Sequence, residues 1–354
     1  MSNDHECIDA QYQSLSILGQ CCQGYGSVEL AKHKQSQKIV VIKRINLDTL
    51  KDEVELVEDE IILTRQLCHP NIIKYLTSYV NGSDVCIVSP LMGFLSCRNL
   101  LNIHFINGLA ENAIALITRD VLDALEYVHR RGIIHRAIRA SHVLISETGN
   151  SCLTGFRYAC PIIKNGRWQR QIHSFPTSTA RNLNWLSPEV LEQNLQGYNE
   201  KSDIYSVGLL ITELANGAEP FADMSTTLML TEKVRGSAPQ LLDCSTIPPE
   251  DDEAHGDSGL NMHFHKQSKR KFSNGLHEVA ALCLQKEAHG RPTAAQLMTH
   301  PYFKINRRSM HLTELLKPAI PIGNNVIHNN AEFQCIDNMR KLSQMELYSC
   351  DWDF

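Results

Sequence analysis

The chain has 354 residues, 43% of them hydrophobic and 21% charged, with a formal net charge of −5. That is the balance of a soluble, packed protein, long enough for one large bilobal unit or two ordinary domains. The mild acidity gives no basis for binding nucleic acid or an acidic membrane, and no apolar run approaches the roughly 20 residues that cross a bilayer. The 12 cysteines are scattered without Cys-x-x-Cys spacing, and the start Met1-Ser2-Asn3-Asp4 has no signal-peptide character. Both fit a reduced, cytosolic protein with no structural metal or disulfide.

In chain order, Tyr12–Gly19, Ser27–His33 and Lys38–Ile45 read as strands, the last built on Ile39-Val40-Val41-Ile42. A helix follows over Asp52–Leu67, with Val54, Val57 and Ile61 on one stripe. Ile72–Tyr79 and Val85–Ser89 are two further strands, joined by a turn at Asn81-Gly82. From Glu111 the period becomes helical, with Ile114, Ile117, Val121, Leu125 and Val128 recurring up to a stop at Gly132. Ser202–Ala215 is apolar nearly all round and predicts a core helix, and Leu276–Gln285 and Thr293–Leu297 predict two more. Ile247–Gly275 carries an acidic then a basic patch, with little to bury, and reads as a mobile surface insertion. Its Lys266–Lys271 stretch and its His263 and His265 read as solvated loop, not as nucleic-acid or metal sites. The expected fold is α+β and bilobal, with a β-rich small lobe and a helical large lobe.

The motifs resemble those of a protein kinase whose chemistry has been removed. Val40-Val41-Ile42-Lys43 places Lys43 where a kinase lysine meets the phosphates, and Glu60, seventeen residues on, is its candidate ion-pair partner. The glycine loop Gly19-Gln20-Cys21-Cys22-Gln23-Gly24-Tyr25-Gly26 lacks Gly-x-Gly-x-x-Gly spacing, so bulkier side chains hinder approach to phosphates. His135-Arg136-Ala137-Ile138-Arg139-Ala140-Ser141-His142 stands in place of His-Arg-Asp-Leu-Lys-x-x-Asn, and Gly155-Phe156-Arg157 in place of Asp-Phe-Gly. Ala137 cannot orient a substrate hydroxyl, His142 is a poor ligand for a hard ion, and Gly155 lacks the metal-bridging carboxylate. Arg157 either supplies charge to nucleotide phosphates without a metal or forms a structural salt bridge, and the same two readings hold for Arg139. Ser89 falls at the gatekeeper position, and Pro90 and Met92 of the following hinge remain compatible with adenine. Glu189, Asp203 and Arg291 keep the structural positions of the large lobe, with Glu189 and Arg291 as an ion pair.

Longer segments resemble one family in particular, the STRAD pseudokinases, adaptors related to the sterile-twenty kinases. They are Ala140–Ser146, Leu186–Tyr198, Lys201–Gly208, Glu213–Gly217 and Ser245–Pro248, and the likeness runs from about Tyr12 to Phe354. The resemblance implies residues 1–11 as an extension, 12–92 as the small lobe, 93–303 as the large lobe and 304–354 as a tail. It implies a catalytically inactive adaptor that activates a serine/threonine kinase of the liver kinase B type. A helical-repeat scaffold completes the complex, which acts in cell polarity and is held in the cytoplasm, with the nucleus as a second location. It also implies ATP bound without magnesium and not hydrolysed, by Lys43, Glu60, Pro90, Met92 and Arg157. The family's terminal Trp-Glu-Phe, which docks on the scaffold, is here Trp352-Asp353-Phe354. The rival reading is a weak, unconventional serine/threonine kinase.

Overall fold

The computed structural model describes residues 8–50, 53–164, 166–169, 171–175, 182–193, 196–247, 267–305 and 311–322. Five antiparallel strands form the small lobe: β1 (Tyr12–Cys21), β2 (Gly26–His33), β3 (Ile39–Asn46), β4 (Thr77–Asn81) and β5 (Asp84–Pro90), in the order β1-β2-β3-β5-β4. Alternation along β3 sorts its two faces. Val40 and Ile42 pack with Tyr79 and Val88, whereas Val41 and Lys43 turn toward the other lobe. Helix α1 (Val54–Gln66) buries Val57, Glu60 and Thr64, spaced three and four residues apart on one face. The strand expected over Ile72–Tyr79 starts only at Thr77, because Ile72 leaves the sheet to pair with Leu153 of the other lobe. Gly82, at φ +61°, makes the turn between β4 and β5.

The large lobe is built around α3 (Glu111–Arg130) and α5 (Lys201–Asn216), which follow α2 (Cys97–Ile103) and α4 (Pro188–Glu192). Ile114, Ile117, Val121, Leu125 and Val128 of α3 are all buried, as the sequence period requires. Helix α5 is buried from Ser202 to Ala215 and ends at Gly217 in the left-handed region, φ +79°. Short strands β6 (Ile133–Ile134), β7 (Val143–Ile145), β8 (Ser151–Leu153) and β9 (Cys160–Pro161) lie below the small lobe; β7 pairs with β8 and β6 with β9.

Helix α6 (Thr226–Arg235) is capped by Ser225, α7 (Asn274–Cys283) by Ser273, and α8 (Ala294–Met298) by a Thr293–Gln296 capping box. The insertion expected over Ile247–Gly275 closes earlier than the sequence suggests. Arg270 donates to Leu242 O at 2.8 Å, and the backbone N–H of buried Phe272 donates to Asp243 at 2.9 Å. One large apolar side chain and one well-paired arginine are enough to anchor this polar stretch; residues 248–266 lie outside the described ones. After α9 (Pro301–Ile305), α10 (Leu312–Leu315) packs on α3. No helix among the described residues is long and apolar enough to cross a membrane.

Candidate functional site

Between the lobes lies a cavity open to solvent on one side. Its walls come from β1 (Leu18), β3 (Val41, Lys43), the end of β5 and the linker after it (Ser89, Pro90, Met92), and β7 (Leu144). Beyond Ser89 the cavity continues to Ile73, Tyr75 and Ile87. Apolar walls around a few polar groups are the usual make-up of a small-molecule site. Of the residues expected around a nucleotide, Lys43, Pro90 and Met92 line this cavity. Glu60 and Arg157 stand behind Lys43. Leu18 carries no motif, and Val41 and Leu144 lie within quoted segments without being singled out; only their places on strands flanking the glycine and catalytic loops could have marked them as lining.

Glu60 is fully buried and gathers three partners. Lys43 Nζ lies 3.5 Å from its Oε1, the Tyr75 hydroxyl donates to Oε1 at 2.6 Å, and Arg157 Nε stands 3.4 Å from Oε2. Burial beside the Glu60 carboxylate pushes the Tyr75 hydroxyl well above its ordinary pKa, so it stays a donor. Arg157 Nη1 is also 3.6 Å from Glu53. Of the two readings open for Arg157, the structure displays the salt bridge.

The glycine loop closes over this network. Gly19 pairs with Val28 and Cys21 with Gly26, so the tip is a tight turn over Cys22–Gly24. Gly26 is required by the sheet, because a Cβ there would lie 2.4 Å from Arg44 O. Cys22 is held at φ +54°, and Arg157 Nη2 donates to its sulfur at 2.9 Å. The Cys21 thiol donating to it, with Lys43 and Arg157 nearby, outweighs burial and brings Cys22 down to about 6. The adjacent cysteines stand out in the sequence, but their contact with Arg157 links residues far apart in the chain and is invisible there.

The catalytic-loop positions are filled as a unit. His142 Nδ1 donates to Ala137 O at 2.5 Å, and its Nε2 lies 3.4 Å from the Arg139 guanidinium. A neutral ring donating from Nδ1 therefore spends its Nε2 lone pair on Arg139. Arg139 also lies over the Trp185 ring, 5.4 Å from its centroid. Gly155 sits at φ +84°, and a Cβ there would come within 2.6 Å of the His142 ring. The imidazole thus occupies the room that a side chain at 155 would need.

Beside this unit, buried Asp203 accepts from His129 Nε2 and from the backbone N–H groups of His135 and Arg136, each at 2.8 Å. Burial opposes its charge, but these donors prevail and hold its carboxyl below the ordinary range. Burial pushes His135 down to about 4, and its ring packs edge-on against Phe156 at 4.6 Å. Arg136 donates to Tyr158 O at 2.5 Å, the Tyr198 hydroxyl at 2.9 Å and Ser174 O at 3.2 Å, a latch absent from the sequence reading. The expected Glu189–Arg291 pair is bidentate, at 2.6 and 2.9 Å, with Arg291 fully buried at its side chain. Trp352, Asp353 and Phe354 lie outside the described residues, and no cluster of three or more candidate metal ligands occurs among the described ones.

The protein-family model described as "Protein kinase domain" matches residues 12–303. Over 97% of its length the chain is 38% identical to the STE20-related kinase adapter protein alpha of Mus musculus, covering 84% of that protein. The Homo sapiens form gives the same identity and coverage. The chain belongs to the STE20-related kinase adapter family. The beta member of this family from Homo sapiens is 34% identical over 88% of the chain and 79% of its own length. Kinase fold and adapter kinship thus stand together, and the name adapter, as carried by these relatives, implies protein partners.

Proposed function

We propose that the chain is a catalytically inactive pseudokinase that binds ATP without magnesium and activates a partner serine/threonine kinase by holding it in its active form. The observation that carries this reading is the His142 ring in the side-chain space of Gly155. Phosphoryl transfer depends on metal held at these two positions and on a base at the third. Here the third is Ala137, and both His142 ring nitrogens are taken within the protein. The residues present do not suit magnesium. They do suit an adenine nucleotide: an apolar slot beside Pro90 and Met92 leads to the cation Lys43, with Arg157 held behind it on Glu60. The Lys43–Glu60 pair and Phe156 packed on His135 also match the arrangement an active kinase requires. A fold kept in that arrangement without its chemistry suits a binding role, in which ligands shift the population of a shape the partner recognises.

The partner is of the liver kinase B type, and a helical-repeat scaffold takes the Trp352-Asp353-Phe354 tail. Cytoplasmic residence follows from that assembly. Two measurements test this. ATP should raise the melting temperature equally with magnesium and with a chelator, and no shift at millimolar ATP would remove the nucleotide from the proposal. Capture of the kinase and the scaffold by the full chain, with the scaffold lost on removing Trp352 to Phe354, is the second expected result. The intact Lys43–Glu60 pair also suits a weak kinase, for which phosphate transfer abolished by Lys43→Met would be the mark.

A further inference from the structure

Residues 311–322 run from the large lobe back to the linker between the lobes. Leu312, Leu316 and Ala319 are buried in the large-lobe core, whereas Ile322 is buried in the small-lobe cluster. Along the way Leu312 and Thr313 lie against the turn at Gly149, where a Cβ would come within 3.1 Å of the Thr313 side chain. At its end the Ile322 N–H donates to Gly93 O at 2.8 Å. Gly93 directly follows Met92, and a Cβ on it would stand 2.9 Å from Ile322 O and 3.1 Å from the Pro321 ring. The absence of a side chain at 93 is therefore what lets this segment dock. Ile322 packs in the same cluster as Leu18, Met92, Leu95 and Leu144, all of which line the inter-lobe cavity.

We propose that residues 311–322 form a strap that walls the linker edge of the cavity, making Ile322 a determinant of ligand affinity. Ile322 shares the buried cluster of Met92 and Leu95, and holds the Gly93 carbonyl between them by its hydrogen bond. A ligand in the cavity then reads whether the strap is seated, and a seated strap is favoured by an occupied cavity, because the linkage is reciprocal. Two side chains apart on the same segment, Ile320 is 79% exposed and supplies an internal control. The proposal rests on the nucleotide reading of the cavity for its ligand, but not for the seating of the strap.

The test uses the full chain with adenosine and with ATP as probes, in the wild type, Ile322→Asp, Gly93→Ala and Ile320→Asp. Binding is followed by calorimetry, and hydrogen exchange follows the Ile322 amide. The expected result is a protected Ile322 amide in the wild type and an affinity for adenosine about tenfold weaker in Ile322→Asp and Gly93→Ala. Ile320→Asp should bind as the wild type does. Because Gly93→Ala attacks the contact from the linker side, it decides the matter if Ile322→Asp does not fold. Equal affinities in all four proteins would overturn the strap while leaving the nucleotide reading intact. A wild type that binds neither probe would remove the nucleotide reading. In that case, protection of the Ile322 amide that is lost in Gly93→Ala upholds the wall, and free-peptide exchange in the wild type overturns it.

Discussion

At the scale of single residues, His142 and Gly155 depend on each other. An aspartate at 155 would have to adopt φ +84° and push its Cβ against the imidazole. The left-handed backbone costs about 1–2 kcal/mol for such a residue, and overpacking adds about as much again. Gly155→Asp should therefore lower stability by about 3 kcal/mol in a denaturant titration, without creating magnesium-dependent transfer. In a His142→Ala background about half of that loss should disappear, a coupling that a double-mutant cycle measures. His135 makes a second prediction, this one for pH. Its folded value of about 4 lies below the ordinary 6.5, so the unfolded chain binds the extra proton first. Stability should be full above about pH 6.5 and fall as the pH drops toward 4, by about 3 kcal/mol in all. Urea midpoints at pH 7 and pH 5 would show it, and His135→Gln should flatten the slope.

At the scale of elements, the segment from Gly155 to Glu189 is held at its two ends by different chemistry. Arg136 latches its start through the Tyr158 and Ser174 carbonyls and the Tyr198 hydroxyl, and Arg291 clamps its end through Glu189. Arg291→Ala leaves Glu189 without its bidentate partner and frees the carbonyls of Gln285, Lys286 and Lys201. A loss of about 3–5 kcal/mol is expected in thermal or urea unfolding, and Glu189→Gln should cost less, because a neutral amide can still accept from the guanidinium. These elements also mark how far the sequence could be read. Strands β1–β3, helix α3 and helix α5 were legible because their apolar residues repeat with the period of the element. The Lys43–Glu60 and Glu189–Arg291 pairs were legible because their motifs fix both partners. Cys22 against Arg157, and His142 inside the space of Gly155, were not. Each depends on loops whose paths no periodicity encodes, and the first also joins residues from the two lobes. Helix α6 was missed for a simpler reason: it buries only Met229 and Lys233, too few positions to set a period.

At the scale of the whole molecule, two lobes meet at a cavity and a third segment ties them from outside. Ending the chain at residue 305 would strip Leu312, Leu316 and Ile322 from both cores. A loss of about 5 kcal/mol, read as a lower urea midpoint, follows from burying three such side chains. Residues 311–322 are thus part of the fold before they are anything else. Ser89 carries a consequence of another kind. Its small side chain lines the cavity next to Ile73, Tyr75 and Ile87. A purine with a bulky hydrophobic group on its exocyclic amine should enter here, while a protein with a larger residue at this point turns it away. Calorimetry should show such a compound binding the wild type if the cleft takes a purine, and Ser89→Met should abolish its binding without lowering the melting temperature. The chain would then be followed by what its cleft admits.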